Sequence, residues 1–148
     1  MKKVFILLFL FSVTGYAQQV DYNVQKGFVA NGYDVVAYFS NKATKGSSKY
    51  TYTFEGAQYK FSSKENLENF KKNTTIYVPQ YGGYCAYAVG KNGKKVSINP
   101  KTFEIRDGKL YLFYNSWGTN TFEMWMEQGP SLLQKKADIT WEKIKFKS

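Results

Sequence analysis

Histidine is absent from the 148 residues. The commonest metal ligand and the commonest general base are therefore missing, which excludes Ser-His-Asp triads, Cys-His nucleophiles and histidine-built zinc sites. There is a single cysteine, Cys85, so no disulfide can form within the chain and stability must come from packing. Acidic residues are also scarce, with 11 Asp and Glu against 21 Lys and Arg, for a formal charge of +10. The lysines fall in dispersed pairs (Lys71-Lys72, Lys94-Lys95, Lys135-Lys136) among acidic residues, the pattern of a solvated surface and not of a nucleic-acid groove. After the first residues no apolar run is long enough to span a bilayer, and no internal repeat or low-complexity segment occurs.

The residues at the start carry their own signal. Met1-Lys2-Lys3, the apolar run Val4 to Phe11, and Gly15-Tyr16-Ala17 have the order of a secretory signal peptide with small residues before the cut. Cleavage after Ala17 predicts an exported protein, periplasmic or secreted, with residues 18–148 forming a single domain and no transmembrane segment in the mature chain. Loss of Lys2 and Lys3 leaves a charge of +8. Aromatic residues make up 19% of the chain, enough large side chains to build a core without crosslinks.

Along the mature chain, Gln18 to Lys26 is polar and reads as a loosely held lead-in. Ala30 to Phe39 is a turn followed by an apolar run too short for periodicity to separate strand from helix, and is read as a short helix. In Lys49 to Phe54 and Gln58 to Phe61 aromatic residues alternate with polar ones around Glu55-Gly56, which predicts a β-hairpin with one aromatic face. Ser62 with Glu65 has capping-box spacing, and Leu67 and Phe70 supply the stripe of a helix over about residues 63–72. Val96-Ser97-Ile98 is a short strand ending before Pro100. Residues 103–106 and 109–114 flank Asp107-Gly108, a pair suited to a tight hairpin turn. Residues 121–128 and 131–145 are helical, and Leu133, Ala137, Trp141 and Ile144 form a core-facing stripe. Hairpins interspersed with single helices give a compact single α+β domain, antiparallel hairpins packed with a central and C-terminal helices.

The most unusual stretch runs from Tyr77 to Gly90 and contains Pro79, Tyr81, Gly82, Gly83, Tyr84 and Cys85. Pro79 and the Gly-Gly pair predict a tight turn. Tyr84 to Val89 then reads as a short helix terminated by Gly90, with Cys85 in its first turn, where the helix dipole favours a thiolate. Two readings of the sulfur compete, a reactive thiol and a packed core thiol, since free cysteine is among the most buried residue types. Tyr81 and Tyr84 can wall a small pocket or serve as core aromatics.

Several spaced motifs resemble a known family. Asn31 to Phe39, Tyr52 to Ser63, Asn66 to Phe70, Tyr77 to Ala86 and Asp107 to Leu112, in that order, are similar to the exported bacterial YHS domain-containing (seleno)proteins. The likeness covers nearly all of the mature chain, and Gly82-Gly83-Tyr84-Cys85-Ala86 is its most distinctive run. In that family the position of Cys85 is occupied by cysteine or selenocysteine. The wider group is associated with copper and other heavy metals, and Ser62, Ser63 and Asn66 stand here where metal-associated members carry thiols.

The function expected is a non-enzymatic envelope binding module for a small ligand, a metal or an envelope protein. The soft-metal form of this expectation, with copper as the ion, uses Cys85 with Met124 or Met126, because thiolate and thioether suit Cu(I). Met124 and Met126, two apart, face different sides of a helix, and each also fits as a gap-filling core residue. The alternatives are thiol-redox chemistry at Cys85 with an external resolving thiol, or a purely structural or partner-binding role.

Overall fold

The computed structural model describes residues 17–148, so the signal-peptide reading of residues 1–17 lies, but for Ala17, outside the described residues. The described chain is α+β. Its strands form four antiparallel two-stranded units: β1 (Val24–Gln25) with β2 (Phe28–Val29), β3 (Ser47–Phe54) with β4 (Ala57–Phe61), β5 (Asn99–Arg106) with β6 (Lys109–Phe113), and β7 (Asn115–Ser116) with β8 (Thr119–Asn120). The helices are α1 (Lys64–Lys72), α2 (Thr74–Tyr77), α3 (Ala86–Asn92), α4 (Thr121–Glu127) and α5 (Pro130–Ile144). None of the described helices is long and apolar enough to cross a membrane.

The two long hairpins form where aromatic and polar residues alternate. On β4, Ala57, Tyr59 and Phe61 are buried while Gln58 between them is exposed. The rings of Tyr52, Phe54, Tyr59 and Phe61 all lie within 4.8–6.3 Å of Phe70, the buried residue of α1. One ring from α1 thus closes the aromatic face of the whole hairpin, in the tilted and edge-on arrangements that aromatic pairs prefer. The second hairpin buries Leu110 to Phe113 completely, and Trp125 of α4 packs on Tyr111 and Phe113. Pro100 lies inside β5, not beyond a strand at residues 96–98. The register shifts between Asn99 and Phe103, and that irregular stretch accommodates a residue with no N–H.

Other local features differ from expectation. The cap of α1 is Ser63, whose Oγ accepts from the Asn66 N–H at 3.1 Å, because Ser62 is engaged elsewhere. Asp34, completely buried, takes the Ser62 hydroxyl at 2.6 Å, the Ser62 N–H at 2.8 Å and the Asn66 Nδ2 at 2.7 Å on one oxygen. Its other oxygen takes the Val36 and Ala37 N–H groups at 2.9 and 3.3 Å. Residues 30–39 accordingly form two short 3₁₀ turns, Ala30–Gly32 and Ala37–Ser40, around this carboxylate instead of one α-helix. The helix α3 does not end at Gly90. It continues to Asn92 with Gly93 in the left-handed conformation, and Gly90 is buried against the carbonyl of Leu133 in α5. The lead-in is tied down: the Asp21 N–H bonds Lys145 O at 2.7 Å, the Asn23 N–H bonds Gly82 O at 2.8 Å, and Asn23 is buried.

Candidate functional site

The turn before Cys85 is built from Gln80–Gly83, with Tyr81, Gly82 and Gly83 all at positive φ (54, 60 and 80°). Glycine is required at Gly82, where a Cβ would meet Asp21 O at 2.6 Å and the Trp141 ring at 3.0 Å. Tyr81 carries a side chain in the same region, a conformation that costs about 1–3 kcal/mol and persists only when its surroundings fix it. Two bonds do so here. Asn23 Nδ2 donates to Gly83 O at 3.0 Å, and the Tyr81 hydroxyl donates to Asp138 Oδ1 at 2.8 Å.

Cys85 lies just before α3, not within its first turn, and has no solvent exposure. Its N–H bonds Val96 O at 2.9 Å, and its backbone bridges Leu112 of β6. Its Sγ is 3.2 Å from Thr121 Oγ1. Because the threonine proton is spent on Tyr114 O at 2.7 Å, the thiol is the donor of that contact. Of the methionines weighed with it, Met124 is half-buried and packs against the core that holds Cys85, and Met126 is 47% exposed. Among the described residues, no three His, Cys, Asp or Glu side chains are grouped as metal ligands.

Tyr81 and Gly82 open instead onto a cleft of about 550 Å³. Four distant parts of the chain line it: Val20 and Tyr22 of the lead-in, Phe54 and Glu55 at the β3–β4 turn, Thr75 with Val78 to Gly82, and Asp138, Trp141 and Glu142 of α5 with Lys145 at its end. Tyr84, Gly83 and Cys85 are not part of its lining. Tyr84 is half-buried, its ring 6.4 Å from that of Trp141. Trp141, expected on the core stripe, is only half-buried and forms a wall of the cleft, 6.3 Å from the Tyr81 ring.

Two phenol–carboxylate pairs face this space. The Tyr22 hydroxyl donates to Glu55 Oε2 at 2.5 Å, and the Tyr81 hydroxyl to Asp138 as above. Burial, and then the hydrogen bond and charge of the neighbouring carboxylate, hold both phenols well above the usual tyrosine range. Both therefore stay protonated donors through the whole physiological range. A second buried tyrosine feels each pair: Tyr59 is raised by burial, then by Tyr22 and Glu55, and Tyr111 is pushed up to about 12 by burial, then by Asp138. The Tyr59 and Tyr111 hydroxyls are buried with no hydrogen-bond partner.

Of the site residues expected from sequence, the structure brings Tyr81 and Gly82 into the cleft and leaves Cys85 and Met126 in separate environments. Tyr22, Glu55, Asp138 and Trp141 were not anticipated as site residues, and Glu55 had a visible signal only as part of a turn. Comparison with family models, with curated proteins and with solved structures finds no match for this chain.

Proposed function

We propose that the chain is an exported, non-enzymatic binding module of the YHS type, and that its ligand site is the cleft beside Tyr81 and not the sulfur of Cys85. One observation carries this reading: a space of about 550 Å³, within the size range of small-molecule sites, is walled by Phe54, Tyr81, Pro79 and Trp141 and carries a few convergent polar groups. The strained backbone of Tyr81 supports it, since such outliers gather where a side chain must be held in one place. The absence of a histidine leaves the carboxylates without the usual proton-shuttling partner, which favours binding over catalysis. Reading Cys85 as a soft-metal or redox centre requires exposing a sulfur that is sealed in the core and bonded to Thr121. The cleft requires no such opening.

The test is nuclear magnetic resonance of the labelled mature protein titrated with a neutral aromatic fragment, 2-phenylethanol. Shifts should concentrate at the Trp141 indole N–H and the Tyr81 and Gly82 amides, leave Cys85 and Thr121 unmoved, and disappear in Trp141→Ala. Shifts scattered over the surface, or centred on Cys85, would refute the assignment of the site.

A further inference from the structure

Resting on the reading of the cleft as a binding site, we propose that its ligand is a small organic cation, an ammonium group carried on an apolar or aromatic body. The molecule is strongly basic, yet the cleft is lined by three carboxylates, Glu55, Asp138 and Glu142, and by one cation, Lys145. Lys145 is taken: its Nζ lies 2.5 Å from Glu142 Oε2. Among the described residues, Glu55 and Asp138 have no cationic partner, and their side-chain oxygens are met by the hydroxyls of Tyr22 and Tyr81. A phenol supplies one hydrogen bond and no charge, so neither carboxylate has its charge compensated and each has acceptor capacity to spare.

The walls of the cleft are partly aromatic. Phe54 and Trp141, both half-buried, present aromatic surface in the same lining as these carboxylates, and ring faces attract cations through their quadrupoles. An anion in this space would face two like charges. A neutral ligand would desolvate both carboxylates and return nothing to them. A primary ammonium instead donates to Glu55 or Asp138 while its body packs on Trp141 and Phe54, so both features of the lining are used. Because Tyr22 and Tyr81 hold their protons, neither phenol turns into a competing anion, and the two carboxylates remain the charged acceptors.

Three probes of nearly the same shape separate the possibilities: 2-phenylethylamine, cationic at pH 7, neutral 2-phenylethanol, and anionic 3-phenylpropanoate, each titrated into the mature protein at low salt, by calorimetry for affinity and by the Trp141 and Tyr81 resonances for location. The amine should bind about tenfold or more tighter than the alcohol, as expected for a charge-assisted hydrogen bond, and the acid should bind weakest. Added salt should weaken the amine selectively. Glu55→Gln and Asp138→Asn, which remove charge and keep shape, should each bring the amine towards the affinity of the alcohol. Glu68→Gln, on the exposed face of α1, should not. Using both substitutions keeps the test open if one of them disturbs folding. If the alcohol or the acid binds as tightly as the amine while still moving the Trp141 and Tyr81 signals, the cationic ligand is wrong and the cleft stands. If none of the three moves those signals, both are wrong.

Discussion

Gly90→Ala tests how closely α3 and α5 are packed. Gly90 has ordinary helical backbone angles, and in an exposed helix the change to alanine would stabilise by about 0.5–1 kcal/mol. Here the added Cβ would stand 2.6 Å from the carbonyl oxygen of Leu133, 3.3 Å from its carbonyl carbon and 3.4 Å from the Cβ of Ala137. The first contact is with the backbone of a 15-residue helix, which has no rotamer by which to step aside. The two helices must therefore separate by several tenths of an ångström, and overpacking of this kind costs about 1–3 kcal/mol, more than the gain in helix propensity. The net expectation is a loss of about 1–2 kcal/mol, in a domain whose whole stability is of the order of 5–15 kcal/mol. Urea denaturation followed by far-ultraviolet circular dichroism should show a lower midpoint with an unchanged slope. A midpoint that stays the same or rises would show that α3 and α5 are not in the contact described, and the account of Gly90 as a packing residue would fail.

Three further outcomes follow from the same geometry. Asp34→Ala, which strands the Ser62, Asn66, Val36 and Ala37 donors in the core, should destabilise by at least about 3 kcal/mol in the same assay, and a loss under about 1 kcal/mol would mean the carboxylate is not their hub. Cys85 should react with iodoacetamide in the folded protein only at the rate of local opening and rapidly in urea, so prompt labelling at neutral pH would revive the reactive-thiol reading. Tyr22, Tyr38, Tyr59 and Tyr81 are all raised, chiefly by burial, so the folded state binds their protons more tightly than the unfolded chain does. Their contribution is complete below about pH 10 and is lost above it at roughly 1.4 kcal/mol per pH unit for each phenol, so unfolding should accompany late phenolate absorbance between about pH 10 and 12. Ionisation of all tyrosines near pH 10 with native near-ultraviolet dichroism would contradict the burial described.

What the sequence disclosed depended on how local the cause was. The two long hairpins and α1 are legible because alternation around Glu55-Gly56 and Asp107-Gly108, and the spacing of Leu67 and Phe70, act within a few residues. Gly90 misleads because a glycine near a helix end has the same local look whether it caps the helix or admits a neighbour. The neighbour, Leu133, is 43 positions away. Ser62 misleads for the same reason, its hydroxyl having been claimed by Asp34, 28 residues earlier. Of the cleft only the Tyr81 wall was legible, since Tyr22 meets Glu55 and Tyr81 meets Asp138 only when four separate parts of the chain converge. Hydrophobic periodicity placed Trp141 on the inner stripe of α5 correctly as a direction, but it carries no information on whether that face meets core or an open space.

The run Pro79 to Cys85 looks from its composition like the neighbourhood of a reactive sulfur, yet Tyr81, Gly82, Gly83 and Cys85 each have a steric or hydrogen-bonding reason to be there. Gly82 is needed because the lead-in backbone and the Trp141 ring occupy the space a side chain would fill. Gly83 continues the left-handed path and offers its carbonyl to Asn23. Tyr81, between Pro79 and these glycines, is thereby turned towards Asp138, while four residues later Cys85 points inward to Thr121. One turn therefore serves two surroundings, a water-facing cleft and a sealed core. Cysteine suits the core side because a small sulfur fits with no exposure between Ala86, Leu112 and Thr121 and can spend its proton on a hydroxyl whose own proton is already used. On this account serine in place of Cys85 should preserve ligand binding at the cleft, whereas a side chain at Gly82 should abolish it, because the cleft depends on the path of the backbone and not on the sulfur.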